Sequence, residues 1–135
     1  MEKILTFIIN KNKLLLLLGS DQDPQFHKSF WYVITGACEK IDNSLEETVI
    51  REVKEETNLN LDKIINLNWI LEYESLGNHC KEHIFISYTN DTNVKLNEES
   101  IDYKWCDLNE FIDLIKWYYD KNELKQKLIK YLEKQ

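Results

Sequence analysis

Only one of the 17 basic residues is an arginine, Arg51. Lysine therefore serves wherever a point charge suffices. The single guanidinium, whose planar fork can pin a carboxylate through two hydrogen bonds, marks a position where shape matters. Proline also occurs once, as Pro24, inside the polar stretch 21–28, which reads as a loop. Cysteine is scarce and odd in number. Cys38, Cys80 and Cys106 form no C-x-x-C pair, which excludes a disulfide framework and a zinc knuckle and leaves plain thiols of a reducing, cytoplasmic compartment. A basic excess is lacking as well. The formal charge of −7 speaks against a nucleic-acid backbone as partner, since such binders replace phosphate counterions with a basic surface. No apolar run reaches the roughly 20 residues of a membrane span, and no small-residue cleavage site follows the two short runs near the start, so neither a membrane segment nor a signal peptide is expected.

What is present suffices for one domain over 1–135, with 43% apolar residues and 12% aromatics to close a core. Residues 3–10 and 13–18 are Ile- and Leu-rich runs joined by Asn10-Lys11-Asn12-Lys13, a β-hairpin with buried strands. Phe30 to Thr35 has the aromatic and β-branched content of a strand that Gly36 ends. Ser44-Leu45-Glu46-Glu47 is a capping box, and Leu45, Val49 and Val53 recur every four residues, so a helix begins at Ser44. It stops near Asn58, a residue that tolerates the left-handed conformation. Further strands are expected over 66–75 and 82–89 around a turn at Leu76-Gly77-Asn78-His79, and over Tyr103–Cys106. Asp107 caps a helix, and Leu124, Leu128, Tyr131 and Leu132 keep helical spacing in the Lys-rich tail. No repeat, linker or low-complexity segment interrupts this order, and the pattern predicts an α/β sandwich with a mixed sheet.

The chemistry concentrates in Arg51-Glu52-Val53-Lys54-Glu55-Glu56. At about 100° per residue, Glu52, Glu55 and Glu56 share an arc roughly 100° wide. Glutamates on a helix ordinarily form a solvated face. Three carboxylates so close repel one another unless a cation lies between them, and a hard ion such as Mg²⁺, with Mn²⁺ its substitute, suits an all-oxygen set that also receives phosphate oxygens. His79, Cys80 and His83 invite comparison with a soft-metal cluster, but a turn and a strand need not converge their side chains. Trp31, Trp69, Trp105 and Trp117 read first as core packing rather than base stacking.

The stretch 36–59 resembles the Nudix box, G-x5-E-x7-R-E-U-x-E-E-x-G-U with U a bulky aliphatic residue, and its core R-E-U-x-E-E is complete. The resemblance implies the Nudix fold, an α/β/α sandwich, with Glu52, Glu55 and Glu56 as metal ligands and Arg51 orienting a glutamate. Gly36 lies one residue too far from Arg51, so either Ala37 takes the glycine position or, as we favour, the loop carries an insertion. Counted back from Arg51, Asn43 stands where the first glutamate belongs, with Asp42 and Glu39 as nearby substitutes. Asn58 replaces the last glycine.

Two flanking segments, Phe30 to Gly36 and Glu99-Ser-Ile-Asp-Tyr103-Lys104-Trp105, resemble F-W-Q-x-V-T-G and E-H-x-x-Y-K-W of the bacterial dATP and dihydroneopterin triphosphate pyrophosphohydrolases. That similarity implies Glu99, with Glu98 its competitor, as a further metal ligand or the base, alongside Glu55 and Arg51 as catalytic residues, and Thr35 and Gly36 at the substrate. The arginine those proteins carry after the second strand is missing from Gly19 to Asp23. The expected partner is a small nucleoside or pterin triphosphate, cleaved to a monophosphate and pyrophosphate; no oligomeric state follows. Oxidised nucleotides, dinucleoside polyphosphates or nucleotide sugars are the alternative substrates. A non-catalytic nucleotide-binding module, or a structural domain with an acidic helix, are the alternative roles.

Overall fold

The computed structural model describes residues 1–19 and 29–132; the loop expected around Pro24 and the last three residues of the tail lie outside them. Seven strands in this region join in one mixed sheet. β1 (Glu2–Asn10) and β2 (Lys13–Gly19) are the predicted hairpin. They turn at Lys11-Asn12, both with positive φ (46° and 68°), the geometry of a tight primed turn. The hairpin pairs β1 with β2 only at its tip. The remainder of β1 runs parallel to β6 (Asn78–Tyr88) and, on its other edge, antiparallel to β4 (Ile34–Ala37). β1 is thereby buried on both faces and flanked on both edges, which its near-continuous apolar sequence requires.

The strand expected over Phe30–Thr35 is split into β3 (Trp31–Tyr32), paired with β2, and β4. Gly36 does not end it. It lies inside β4 opposite Ile4, because the approach of a helix side chain, described below, requires a residue without Cβ in that pairing. β5 (Lys63–Ser75) and β6 are longer than predicted and turn on Leu76-Gly77 alone, so Asn78 and His79 belong to β6. Polar side chains on the exposed face of this hairpin hid its extent. Asn68, at positive φ, sits where the β5–β6 register shifts. β7 (Ser100–Cys106) pairs with β2 and starts earlier than Tyr103.

Helix α1 (Leu45–Thr57) begins and ends as predicted. Ser44 Oγ accepts from the Glu47 amide at 3.1 Å, while the Glu47 carboxylate reaches back to the Asn43 amide rather than to that of Ser44. Asn58 closes the helix in the left-handed region at φ 63°. Because glycine adopts that conformation without a Cβ penalty and alanine does not, Asn58→Ala should lower the melting temperature, costing about 1 kcal/mol, while Asn58→Gly leaves stability equal or higher. Urea titration of both variants checks the order.

The sheet separates two cores. On one face α1 lays Val49 and Val53 against Ile4, Ile8, Ile34 and Phe85. On the other, α2 (Leu108–Leu114), capped by Asp107, and α3 (Lys121–Leu132) cover Leu5, Phe7, Ile84 and Ile86 with Phe111, Leu124 and Leu128. Trp31, Trp69 and Trp117 pack with the second core and Trp105 with the first. The result is a helix–sheet–helix sandwich, and no described helix is long and apolar enough to cross a membrane.

Candidate active site

Burial of Val49 and Val53 fixes the rotation of α1, and the same rotation lays Glu52 against β4 and buries Glu56 beside it. Strand alternation puts Ile34 and Gly36 on the α1 side. A Cβ at Gly36 would overlap the Glu52 carboxyl carbon, so glycine is what lets this carboxylate lie against the strand. Thr35, one residue earlier, faces the opposite side of the sheet, in the row of Leu5 and Ile84.

Arg51 organises the loop between β4 and α1. Its Nε and Nη2 donate to the two Asp42 oxygens at 3.0 and 2.9 Å, and Nη2 also donates to the Ala37 carbonyl at 3.0 Å. Nη1 reaches Glu52 at 3.2 Å and Glu55 at 3.4 Å. Asp42 further accepts from Thr48 Oγ1 and the Glu39 amide, both at 2.9 Å. These bonds, that from Arg51 foremost, hold its carboxyl well below the usual range. Of the three candidates for the first box carboxylate, Asp42 therefore takes the fork. Glu39 lies at 3.7 Å from Nη1 and is exposed, and Asn43 faces Glu47. Gly36 and Asp42 keep the G-x5-acid spacing, so the extra residue falls between Asp42 and Arg51. Thr48, buried and bonded to Asp42, was not foreseen; a threonine among polar residues on the first turn of a helix gave no distinguishing signal.

Glu56 is 8% exposed. Desolvation above all, then the charges of Glu99 and Glu52 and a hydrogen bond to Glu52, push its pKa up to about 9. Burial also raises Glu52, against the lowering influence of Arg51, with Glu55 and Glu99 adding repulsion. Glu99 is brought to this group from far along the chain. The Lys95 amide bonds the Thr57 carbonyl at the end of α1, Val94 enters the α1-side core, and Asn97 accepts from the Glu99 amide at 3.0 Å and donates to its carboxylate at 3.2 Å. Asn97 was missed, although Asn two residues before an acid is the signature of such a local turn.

The four carboxylates are neighbours, but among the described residues no three acidic, His or Cys side chains converge on one point. Glu55 in particular is turned to Arg51. The donor set nevertheless fits a hard divalent cation: it is all carboxylate oxygen, and its buried member is short of countercharge. Elsewhere, His79 lies between Glu72 and Glu74, Cys80 turns to the other face of β6, and His83 pairs with Glu2, so these three do not assemble.

The structure thus combines a helix–sheet–helix sandwich with a carboxylate-bearing helix laid against a glycine of the neighbouring strand. The NUDIX domain family matches residues 2–128, and the chain belongs to the Nudix family, whose enzymes generally use a divalent metal such as Mg²⁺. Comparison with curated protein sequences finds no match. Among solved structures, the chain is similar to a MutT protein from Methanosarcina mazei (22% identity, 99% of this chain and 96% of that one, TM-score 0.77). It is likewise similar to a C. elegans Ap4A hydrolase (22%, 97% and 96%, TM-score 0.72). The E. coli dihydroneopterin triphosphate pyrophosphohydrolase stands at 23% identity, with 96% and 95% covered and a TM-score of 0.72. At these identities the likeness is one of fold.

Proposed function

We propose that this chain hydrolyses the pyrophosphate bond of a nucleoside triphosphate or of dihydroneopterin triphosphate, in a Mg²⁺-dependent reaction that releases the monophosphate and pyrophosphate. The observation that carries the reading is the acidic group around buried Glu56, joined by Glu99 from a distant loop. Glu52, Glu55, Glu56 and Glu99 would hold the metal, which would supply Lewis acidity toward a phosphoryl oxygen and make a water more acidic. Arg51 is a positioning residue: it fixes the loop through Asp42 and Ala37 and restrains Glu52 and Glu55. Glu99, whose carboxylate is exposed, accepts the proton of the attacking water. Gly36 lets the Glu52 carboxylate lie against β4.

Release of pyrophosphate and phosphate is the test, measured with and without Mg²⁺ over dNTPs, dihydroneopterin triphosphate, oxidised dGTP, ADP-ribose and dinucleoside polyphosphates. Magnesium-dependent pyrophosphate release from one triphosphate is expected; a folded protein silent across the panel overturns the proposal. Glu99→Gln should lower kcat roughly 100-fold, within the range for a general base, while Glu98→Gln stays within twofold of wild type. Steady-state rates of the two variants decide which of the adjacent glutamates acts.

A further inference from the structure

Glu82 is a carboxylate that the proposed hydrolysis does not use. It sits on β6, 4% exposed, on the sheet face away from the glutamate helix. Among the described residues it forms no ion pair within 4.0 Å; the lysine charge that reaches it, from Lys3, acts at longer range. A carboxylate buried with so little compensation is costly, and a structural role alone would be filled as well by an amide or an apolar residue. Its Oε2 accepts from Tyr73 Oη at 3.0 Å. That bond occupies one of roughly four acceptor positions.

Its surroundings are aromatic. Lys3 lies over the Tyr73 ring at 5.8 Å from the centroid. Tyr32, whose hydroxyl burial and the Glu82 charge raise far above the usual range, also interacts with Tyr73, Tyr118 and Tyr119. Tyr118 meets Tyr32 edge-on at 6.2 Å, and Tyr119 meets Trp117 at 5.9 Å. Tyr118 and Tyr119 are 54% and 45% exposed, so their rings are open to a ligand.

The sheet register links this face to the glutamates. Glu82, Lys3 and Ala37 form one row across β6, β1 and β4, and Ile84, Leu5 and Thr35 form the next. Thr35 thus shares the Glu82 face, whereas Gly36 meets Glu52 on the other. A ring held near Glu82 and a phosphate chain passing the end of β4 would span both faces of the same edge.

We infer that Glu82, with Tyr73, Tyr32, Tyr118 and Tyr119, forms the subsite for the heterocycle of the substrate, and that it selects a 2-amino-4-oxo ring of the guanine or pterin type. The inference rests on the hydrolase reading above and deepens it. Guanine and pterin both present a ring N–H beside an exocyclic NH₂, two parallel donors that a carboxylate accepts together; adenine presents a donor beside an acceptor and leaves one oxygen facing a lone pair. Burial raises the Glu82 carboxyl above its ordinary range, opposed by the hydrogen bond from Tyr73 and the charge of Lys3; two ring donors would add to that opposition and favour the ionised, accepting form. The tyrosines supply stacking area, and Thr35 lies where the ring gives way to the sugar or side chain.

Calorimetric titration in EDTA with dGMP, dIMP, dAMP and neopterin separates ring recognition from turnover. The wild type is expected to bind dGMP or neopterin, dIMP roughly tenfold or more weakly for want of the amino group, and dAMP weakest. The ratio of neopterin to dGMP affinity then tells pterin from guanine. Glu82→Gln should lose this preference and raise KM for the matching triphosphate by roughly 10- to 100-fold with little change in kcat, and Tyr73→Phe should move the same way by less. Equal binding of dAMP and dGMP by the wild type, or an unchanged preference in folded Glu82→Gln, overturns the inference. Ring selectivity without magnesium-dependent hydrolysis would sink the hydrolase reading and leave this subsite standing.

Discussion

Glu56→Gln should reduce turnover by at least about a hundredfold, the scale of one strong electrostatic contribution to a transition state, while leaving the fold intact. The physical reason is the conflict built into this position. Glu56 is buried, hydrogen-bonded to Glu52 and faced by the charge of Glu99, so without a cation burial above all pushes its pKa up to about 9 from the ordinary 4.5. Below pH 4.5 the folded and unfolded chains carry this proton alike. Between 4.5 and 9 the unfolded chain has lost it and the folded chain has not, so the metal-free protein loses stability as pH rises through this window. Glu56→Gln, which cannot ionise, should flatten that part of the pH–stability curve measured in EDTA. A divalent cation reverses the preference, because it needs the ionised carboxylate. Mg²⁺ binding at pH 7 should therefore expel close to one proton from the wild type and almost none from the variant, read by calorimetry in buffers of different ionisation enthalpy. Near-wild-type turnover in Glu56→Gln would remove this residue from the metal site.

Gly36→Ala is expected to be nearly as damaging, for a steric reason. The new Cβ would overlap the Cδ, Cγ and Oε2 atoms of Glu52, and Glu52 cannot simply swing away, since Arg51 Nη1 holds it at 3.2 Å and the helix is pinned by Val49 and Val53. Either the carboxylate leaves its position or β4 separates from α1. A loss of 1–3 kcal/mol, typical of overpacking, should accompany a fall in kcat of roughly 100-fold, since a displacement of about 1 Å is enough for that. Gly77→Ala is the matching control. Gly77 has φ 81° but open space around it, so alanine there should cost stability of about 1 kcal/mol through backbone strain and leave the rate untouched. Equal activity in Gly36→Ala and wild type would show that the Glu52 carboxylate need not lie against the strand.

Each α1 boundary was legible because capping is local: a serine oxygen meets an amide three residues on, and an asparagine tolerates the left-handed turn that ends the helix. The grouping of Glu52, Glu55 and Glu56 was equally legible, since helical spacing alone fixes it. The strand limits were less so. Polar faces concealed the length of β5 and β6, and a close approach from α1 placed Gly36 inside β4 rather than after it.

Local periodicity and one motif determined the helix, its acidic face, the hairpin and the sandwich class, because these depend on residues within a few turns of one another. Tertiary structure alone decided that Arg51 grips Asp42 rather than Asn43 or Glu39, and that the charge of Glu99 reaches Glu52 and Glu56. It also turned Thr35 and Glu82 to the face opposite Glu52. These are questions of direction and distance between segments far apart in the sequence: the Arg51 bonds settle the first, the Lys95–Thr57 bond brings up the loop of the second, and the pairing of β1 with both β4 and β6 sets the third.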